Sequence, residues 1–259
     1  MKELILAVVA LVAVSAHTRG PDPRAIIQRS VAVYDKDWNA SPDYDYFERD
    51  RTAEGIKTYD VRMILGSPYY RLVEINGRPL SPADRQRAQQ KFDDAVSQRR
   101  SESQPQRAQR LAQYEKDRKR DHLLIAQLTA AFDFKLRGEQ RVDGHDTYEF
   151  QATPKPGYQP PNFEAQVLKG MVGRLWIEKQ TCQWVKVEAR VIHPVTIEGF
   201  LARVEPGTRF ELENIPVAPG VWLAKHFSMA SRSKILFLFA HRTQEDDTYF
   251  GYRPASAAK

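Results

Sequence analysis

The chain has 259 residues, with 39 Lys and Arg set against 33 Asp and Glu for a formal net charge of +6. That length suits one large domain or two small ones, and a 42% hydrophobic content is enough for a core. The single cysteine, Cys182, excludes an internal disulfide framework, and the interleaved charges give only a mild preference for anionic partners.

The N-terminus reads as an export signal. Lys2 precedes the apolar run Leu4 to Val14, and Val14-Ser15-Ala16 places small residues where a signal peptidase cuts. The run is too short to span a bilayer, which takes about 20 residues. Cleavage after Ala16 gives a mature chain that starts at His17, with no cysteine there to carry a lipid anchor.

Pro23 then opens an amphipathic helix, with Ile26, Ile27, Val31 and Tyr34 at helical spacing and a polar end from Asp35. Tyr44 to Arg51, Lys57 to Leu65 and Tyr69 to Asn76 read as strands, punctuated by Gly55, Gly66-Ser67-Pro68 and Asn76-Gly77. Ser81 is a good N-cap, and Pro82 begins a charged helical insertion over residues 82–122. Between Asp84 and Asp121 there are 11 Lys and Arg against 7 Asp and Glu, and apolar positions are sparse. Two helices joined near Pro105 are expected, with a mostly solvated face. They merge into the apolar stretch Leu123 to Leu128, which can pack on a sheet.

A hairpin across Asp143-Gly144 follows, then a proline-rich loop from Lys155 to Met171. From Gly173 to Tyr252 the chain reads as a meander of strands: GRLWIEK, QWVKVEARVI, TIEGFLARV, TRFELENI, VWLAKHFSMAS and KILFLFAHR. Most alternate apolar and polar residues, which puts one face on a core and the other in water. The count is about eleven strands, mostly antiparallel, in a single α+β domain over residues 17–259 whose curved sheet must close or be covered.

No phosphate loop, nucleophile elbow or His-Glu-x-x-His pair occurs. The histidines lack metal-ligand spacing, so no metal or cofactor is expected. Glu245, Asp246 and Asp247 read as an acidic turn between the last two strands. Nothing pairs a nucleophile with a base, so the expectation is a non-catalytic protein. Basic and acidic residues interleave on the sheet, which argues against a nucleic-acid partner.

What remains is the apolar face. Leu175, Ile177, Val185, Val187, Phe210, Leu212, Val221, Leu223, Phe227, Ile235 and Phe237 would line the inside of a bent sheet. Only the 23–34 helix and the 123–131 segment are apolar enough to cover it, and incomplete cover leaves room for an acyl chain.

The apolar N-terminal signal, the helix Ala25 to Asp35, the phrase GRLWIEKQTCQWVKVEARV and the late KILFLFAHR and TYFGYR are similar to those of the LolA/LolB-like lipoprotein-localisation family. A Gly-x-Leu-Trp-Ile-Asp phrase is common there, and it stands here as Gly173-Arg174-Leu175-Trp176-Ile177-Glu178. The resemblance runs from about residue 23 to 253. It implies an unclosed half-barrel of about eleven strands with a helical lid. The implied activity is a periplasmic carrier for lipid or lipoprotein acyl chains. The basic insertion is larger than such carriers need, and no functional residue is carried over. Two further readings stay open: a sensor that regulates an inner- or outer-membrane partner through the insertion, and an enzyme whose site is assembled from distant residues.

Overall fold

The computed structural model describes residues 22–197, 202–235 and 239–256, so the expected export signal and Phe237 lie outside the described residues. Asp22 accepts a hydrogen bond from the Arg24 N–H at 3.0 Å, and Pro23 presets the first turn of α1 (Pro23–Ala40). The helix runs past the polar stretch expected to end it. It stops where the Ser41 hydroxyl and backbone N–H both turn back to the Trp38 carbonyl.

Strands β1 (Tyr44–Thr52), β2 (Gly55–Ile64), β3 (Ser67–Ile75) and the two-residue β4 (Arg78–Pro79) follow. Asn76 and Gly77 take left-handed φ of 52° and 73°, as a tight β-turn requires. The helical excursion is α2 (Pro82–Arg100), α3 (Gln104–Ala126) and α4 (Leu128–Ala131). Ser81 caps α2, and Ser103 with Gln106 forms a capping box on α3, so Pro105 starts the second helix instead of breaking a long one.

The rest of the chain is nearly all strand: β5 (Phe132–Val142), β6 (His145–Pro154), β7 (Met171–Glu178), β8 (Trp184–Val191), β9 (Val195–Ile197), β10 (Ala202–Val204), β11 (Arg209–Ala218), β12 (Val221–Ile235) and β13 (Phe239–Pro254). A 3-10 helix at Glu164–Gly170 precedes β7.

Every pairing is antiparallel, and the strand order is β4-β3-β2-β1-β13-β12-β11-β8-β7-β6-β5, with β9 and β10 a short ribbon on β12. Eleven strands therefore lie on one path whose ends, β4 and β5, do not pair. The sheet is an unclosed half-barrel of mixed α+β class, as the sequence led us to expect.

Three strand assignments change. Ser231 to Ser233 is not a turn but the middle of the long β12–β13 pairing. Glu245 to Asp247 likewise sits inside β13, opposite Met229, Ser228 and Phe227, and not in an acidic turn. The segment read as one strand over 196–204 is the β9–β10 ribbon, of which 198–201 are outside the described residues.

Cross-strand register divides the sheet into two faces, because directly opposed residues share a side. On the front face α1 covers β5 to β8. Ile27 of α1 is buried with Phe150, Leu175, Ile177, Cys182 and Trp184. A second cluster joins Ala131, Phe132 and Ala152 to Ala165, Val167 and Leu168 of the 3-10 helix. Each buried Val, Leu, Ile or Phe among them contributes about 1.5–3 kcal/mol.

On the back face, α2 lies along β3 through Phe92, which meets the Tyr69 ring edge-on at 5.6 Å. The insertion is tied down by its arginines more than by apolar contacts. Arg99 donates to the carbonyls of Ile64, Ser67 and Pro68, while Arg110 reaches Leu65 O and pairs with Glu102 at 2.7 Å. They hold the β2–β3 turn, where Leu65 takes φ 47° and Gly66 φ 89°. Glycine suits Gly66 because of this φ, and a Cβ there would also come within 2.9 Å of Leu111 Cδ2, the movable end of that side chain.

Candidate functional site

One register row crosses the front face from β5 to β2. Leu136 opposes Phe150, then Leu175, Val187, Leu212 and Phe227 follow strand by strand. The row continues through Asp247 and Asp50 to Lys57. It begins apolar beneath α1 and ends charged.

The row settles where the residues singled out in the sequence lie. Leu175 and Ile177 are buried under α1, with Val187 packed beside them. Phe210 packs against the cluster of the 3-10 helix, and Leu212 faces Phe227. Val185 is buried but is the extra residue of a bulge, because Lys186 pairs with Trp176 and Trp184 with Ile177. Trp184 takes the place under α1 instead, stacking on Tyr34 with 4.3 Å between ring centroids. A second bulge at Lys225 interrupts the alternation between Phe227 and Leu223, so Leu223 and Val221 do not continue the row. Ile235 pairs through its backbone with Ala202 at the far end of β12.

Beside the unpaired edge strand β5 lies a cavity of about 700 Å³, between it and the first turns of α1. Ile27, Phe132 and Phe134 line it together with Arg24, Gln28 and Lys155. Phe134 packs against both apolar clusters, so this opening leads to the buried front face. The phenylalanines of β5 were missed in the sequence reading, although their alternation in Phe132-Asp133-Phe134 is the signal that marks them.

The other end of α1 is pinned by polar contacts. Asp37 is 4% exposed and accepts from the Trp222 N–H at 3.1 Å. His122 Nε2 lies 2.9 Å from Asp35, and its ring stacks on Trp38 at 4.4 Å. Arg118 donates to Trp38 O at 2.6 Å and lies over the same indole. Burial raises the Asp37 carboxyl to about 6, against the Trp222 N–H and the Gln183 side chain, which pull it down. Among the described residues, the second ring nitrogen of His122, Nδ1, is buried and has no hydrogen-bond partner, so no nucleophile sits on the His122 and Asp35 pair there.

The charged end of the row is unusual for a sheet face. Glu48 on β1 lies between Tyr59 and Tyr249, and Asp247 is 6% exposed. Burial first, then repulsion from Asp247, Asp50 and Glu245, pushes Glu48 up to about 7. Asp247 is raised to about 7 by burial and by Glu245 and Asp50, and the Tyr249 hydroxyl donates to it at 3.4 Å. Tyr46, Tyr249 and Tyr252 are all raised by burial. Among the described residues, no group of His, Cys, Asp and Glu is placed to hold a metal ion, and no helix is long and apolar enough to cross a membrane.

No family profile and no curated protein matches the chain. Among solved structures it resembles a LolA superfamily protein from Nitrosomonas europaea, at 11% identity over 90% of this chain and 93% of that one, with a TM-score of 0.33. It also resembles a DUF1329 family protein from Desulfovibrio piger, at 12% identity over 92% and 96%, with a TM-score of 0.30. A putative outer membrane lipoprotein-sorting protein domain from Vibrio parahaemolyticus is similar at 10% identity over 90% and 95%, with a TM-score of 0.30. The chain is thus similar along most of its length to LolA-like and lipoprotein-sorting structures, at about a tenth of identical positions.

Proposed function

We propose that the chain is an exported, non-catalytic carrier that holds lipid or lipoprotein acyl chains on the front face beneath α1. The observation that carries this reading is the cavity beside β5, whose Ile27, Phe132 and Phe134 lead into the apolar cluster under the helix. Its volume falls within the usual range for small-molecule sites. Helix α1 is pinned by Asp37, Asp35 and Trp38 at its C-terminal end, whereas its first turns border the cavity. It can act as a lid hinged at one end, with Leu175, Ile177, Val187 and Phe210 as the surface it uncovers. Apolar burial supplies affinity, and lid closure controls release.

The test is binding of a dansyl-labelled fatty acid, read as a rise in its emission. Wild type takes up the probe, and Phe134→Glu, which places a carboxylate at the mouth, abolishes uptake while leaving the circular dichroism unchanged. Undiminished uptake in Phe134→Glu contradicts this entry route.

The sensor reading has its own support in the exposed Lys91 and Arg107 of the helical insertion, which make no ion pair among the described residues. Reversing both charges discriminates the two readings. The carrier keeps its lipid uptake and its cellular role, while a sensor keeps uptake and loses its membrane partner.

A further inference from the structure

The back face carries a groove of about 610 Å³ that crosses β5, β6, β7, β8, β11 and β12. Its charges are unevenly satisfied. Arg174 takes Glu188 at 2.7 Å and Glu149 at 3.7 Å, and Lys186 reaches Glu211 at 2.6 Å and Glu188 at 3.2 Å. The acidic residues of the groove are therefore already paired. Arg137, Arg190 and Arg209 are exposed and make no ion pair among the described residues. Arg190 and Arg209 stand directly opposite each other on β8 and β11, and like charges in that position repel. Arg137 sits at a bulge on the edge strand β5.

A like-charge pair left open in a groove, with neighbouring carboxylates turned to other partners, is arranged for an incoming anion. We propose that this back-face groove docks an extended acidic peptide segment of a partner protein. The shape and the charge pattern select that occupant. Six strands span about 24 Å, the length of about seven extended residues. The free guanidiniums are discrete points along a groove in the sheet, which an extended chain can follow and a flat bilayer cannot. They suit a chain whose carboxylates are discrete, each able to accept the two parallel bonds of a guanidinium fork. The site is on the opposite side of the sheet from the surface under α1 and is independent of what that surface holds.

Fluorescence anisotropy of a labelled peptide of about eight residues, alternating Glu and Ser, tests this with the full mature chain. Wild type binds it, and binding weakens as salt rises. Arg190→Ala and Arg209→Glu each weaken binding about tenfold or more. Arg209→Glu melts no lower than wild type, because it replaces a repelling pair with an attracting one. Arg78→Glu, on the distant edge strand β4, leaves binding unchanged. Absence of wild-type binding overturns the proposal, as does undiminished binding in both Arg190→Ala and Arg209→Glu. If phosphatidylglycerol vesicles bind as tightly and lose affinity with the same substitutions, the groove is a membrane surface and not a peptide site.

Discussion

Asp37 of α1 and Trp222 of β12 are 185 residues apart, yet the carboxylate accepts the tryptophan backbone N–H at 3.1 Å in a buried setting. This contact fixes one end of the helix that covers the apolar front face. Its carboxyl titrates at about 6 when α1 is docked, against an ordinary value of 3.8. A raised acid favours the docked state most when protonated. The contribution is full below the ordinary value and is lost as pH rises through about 6.

Protection factors of the α1 amides, which divide out the base-catalysed intrinsic exchange rate, should therefore be larger at pH 5 than at pH 8. Asp37→Asn keeps an acceptor for Trp222 and should flatten that difference. Asp37→Ala leaves the Trp222 N–H unsatisfied and should cost about 1–3 kcal/mol in chemical denaturation. An unchanged pH response in Asp37→Asn would remove Asp37 from the hinge.

The carboxylates at the far end of the row act in the same direction. Glu48 and Asp247 are both raised to about 7 in the fold because burial and repulsion from neighbouring carboxylates disfavour their charged forms. Their contribution is greatest below about 4 and is lost as pH climbs past 7. The melting temperature should be higher at pH 5.5 than at pH 8. Glu48→Gln should narrow that gap by raising stability at pH 8, and an equal gap in wild type and variant would contradict the assignment.

Asp60 works in the opposite sense on the back face. It is 1% exposed and, although burial pushes its carboxyl up, hydrogen bonds from Arg62, Arg71 and Arg253 hold it below the ordinary range. Asp60→Asn removes the charge that joins β2, β3 and β13 and should destabilise by about 3 kcal/mol. The wild-type contribution is present at neutral pH and is lost as pH falls through the depressed value. Urea denaturation at pH 7 and pH 3 measures both effects, and a neutral Asp60→Asn at pH 7 would show the network to be dispensable.

The arginines of the insertion separate into structural and solvated ones. Arg99→Ala removes three hydrogen bonds to the β2–β3 turn and should cost about 2 kcal/mol. Arg87→Ala removes a surface pair with Asp84 and should change stability by less than about 0.5 kcal/mol. Equal losses from the two substitutions would contradict the clamp.

How far the sequence reached depends on whether a feature is local. The alternation of Val187, Ala189 and Val191 against Lys186, Glu188 and Arg190 was readable, since a strand's period of two is written in neighbouring residues. So were Asn76-Gly77 and Asp143-Gly144, whose residues tolerate positive φ. Asp247 was not readable. Three acidic residues in a row look like a turn, and only pairing with Phe227 and Asp50 puts one of them in the sheet interior. The bulge at Val185 shifts the facing of Trp184 by one residue, and nothing local announces it. Leu65 takes the left-handed φ that a two-residue turn between Ile64 and Ser67 requires, and the carbonyls around it are held by Arg99 and Arg110, more than thirty residues away. The cavity depends on how α1 sits against β5, a relation between segments about a hundred residues apart.

Native mass spectrometry of the chain purified after export tests the acyl-carrier reading most directly. The account predicts a bound species with the mass of a lipid, released when Phe134→Glu is introduced into an otherwise folded protein. A consistently ligand-free wild type, under conditions that keep non-covalent lipid complexes intact, would contradict it.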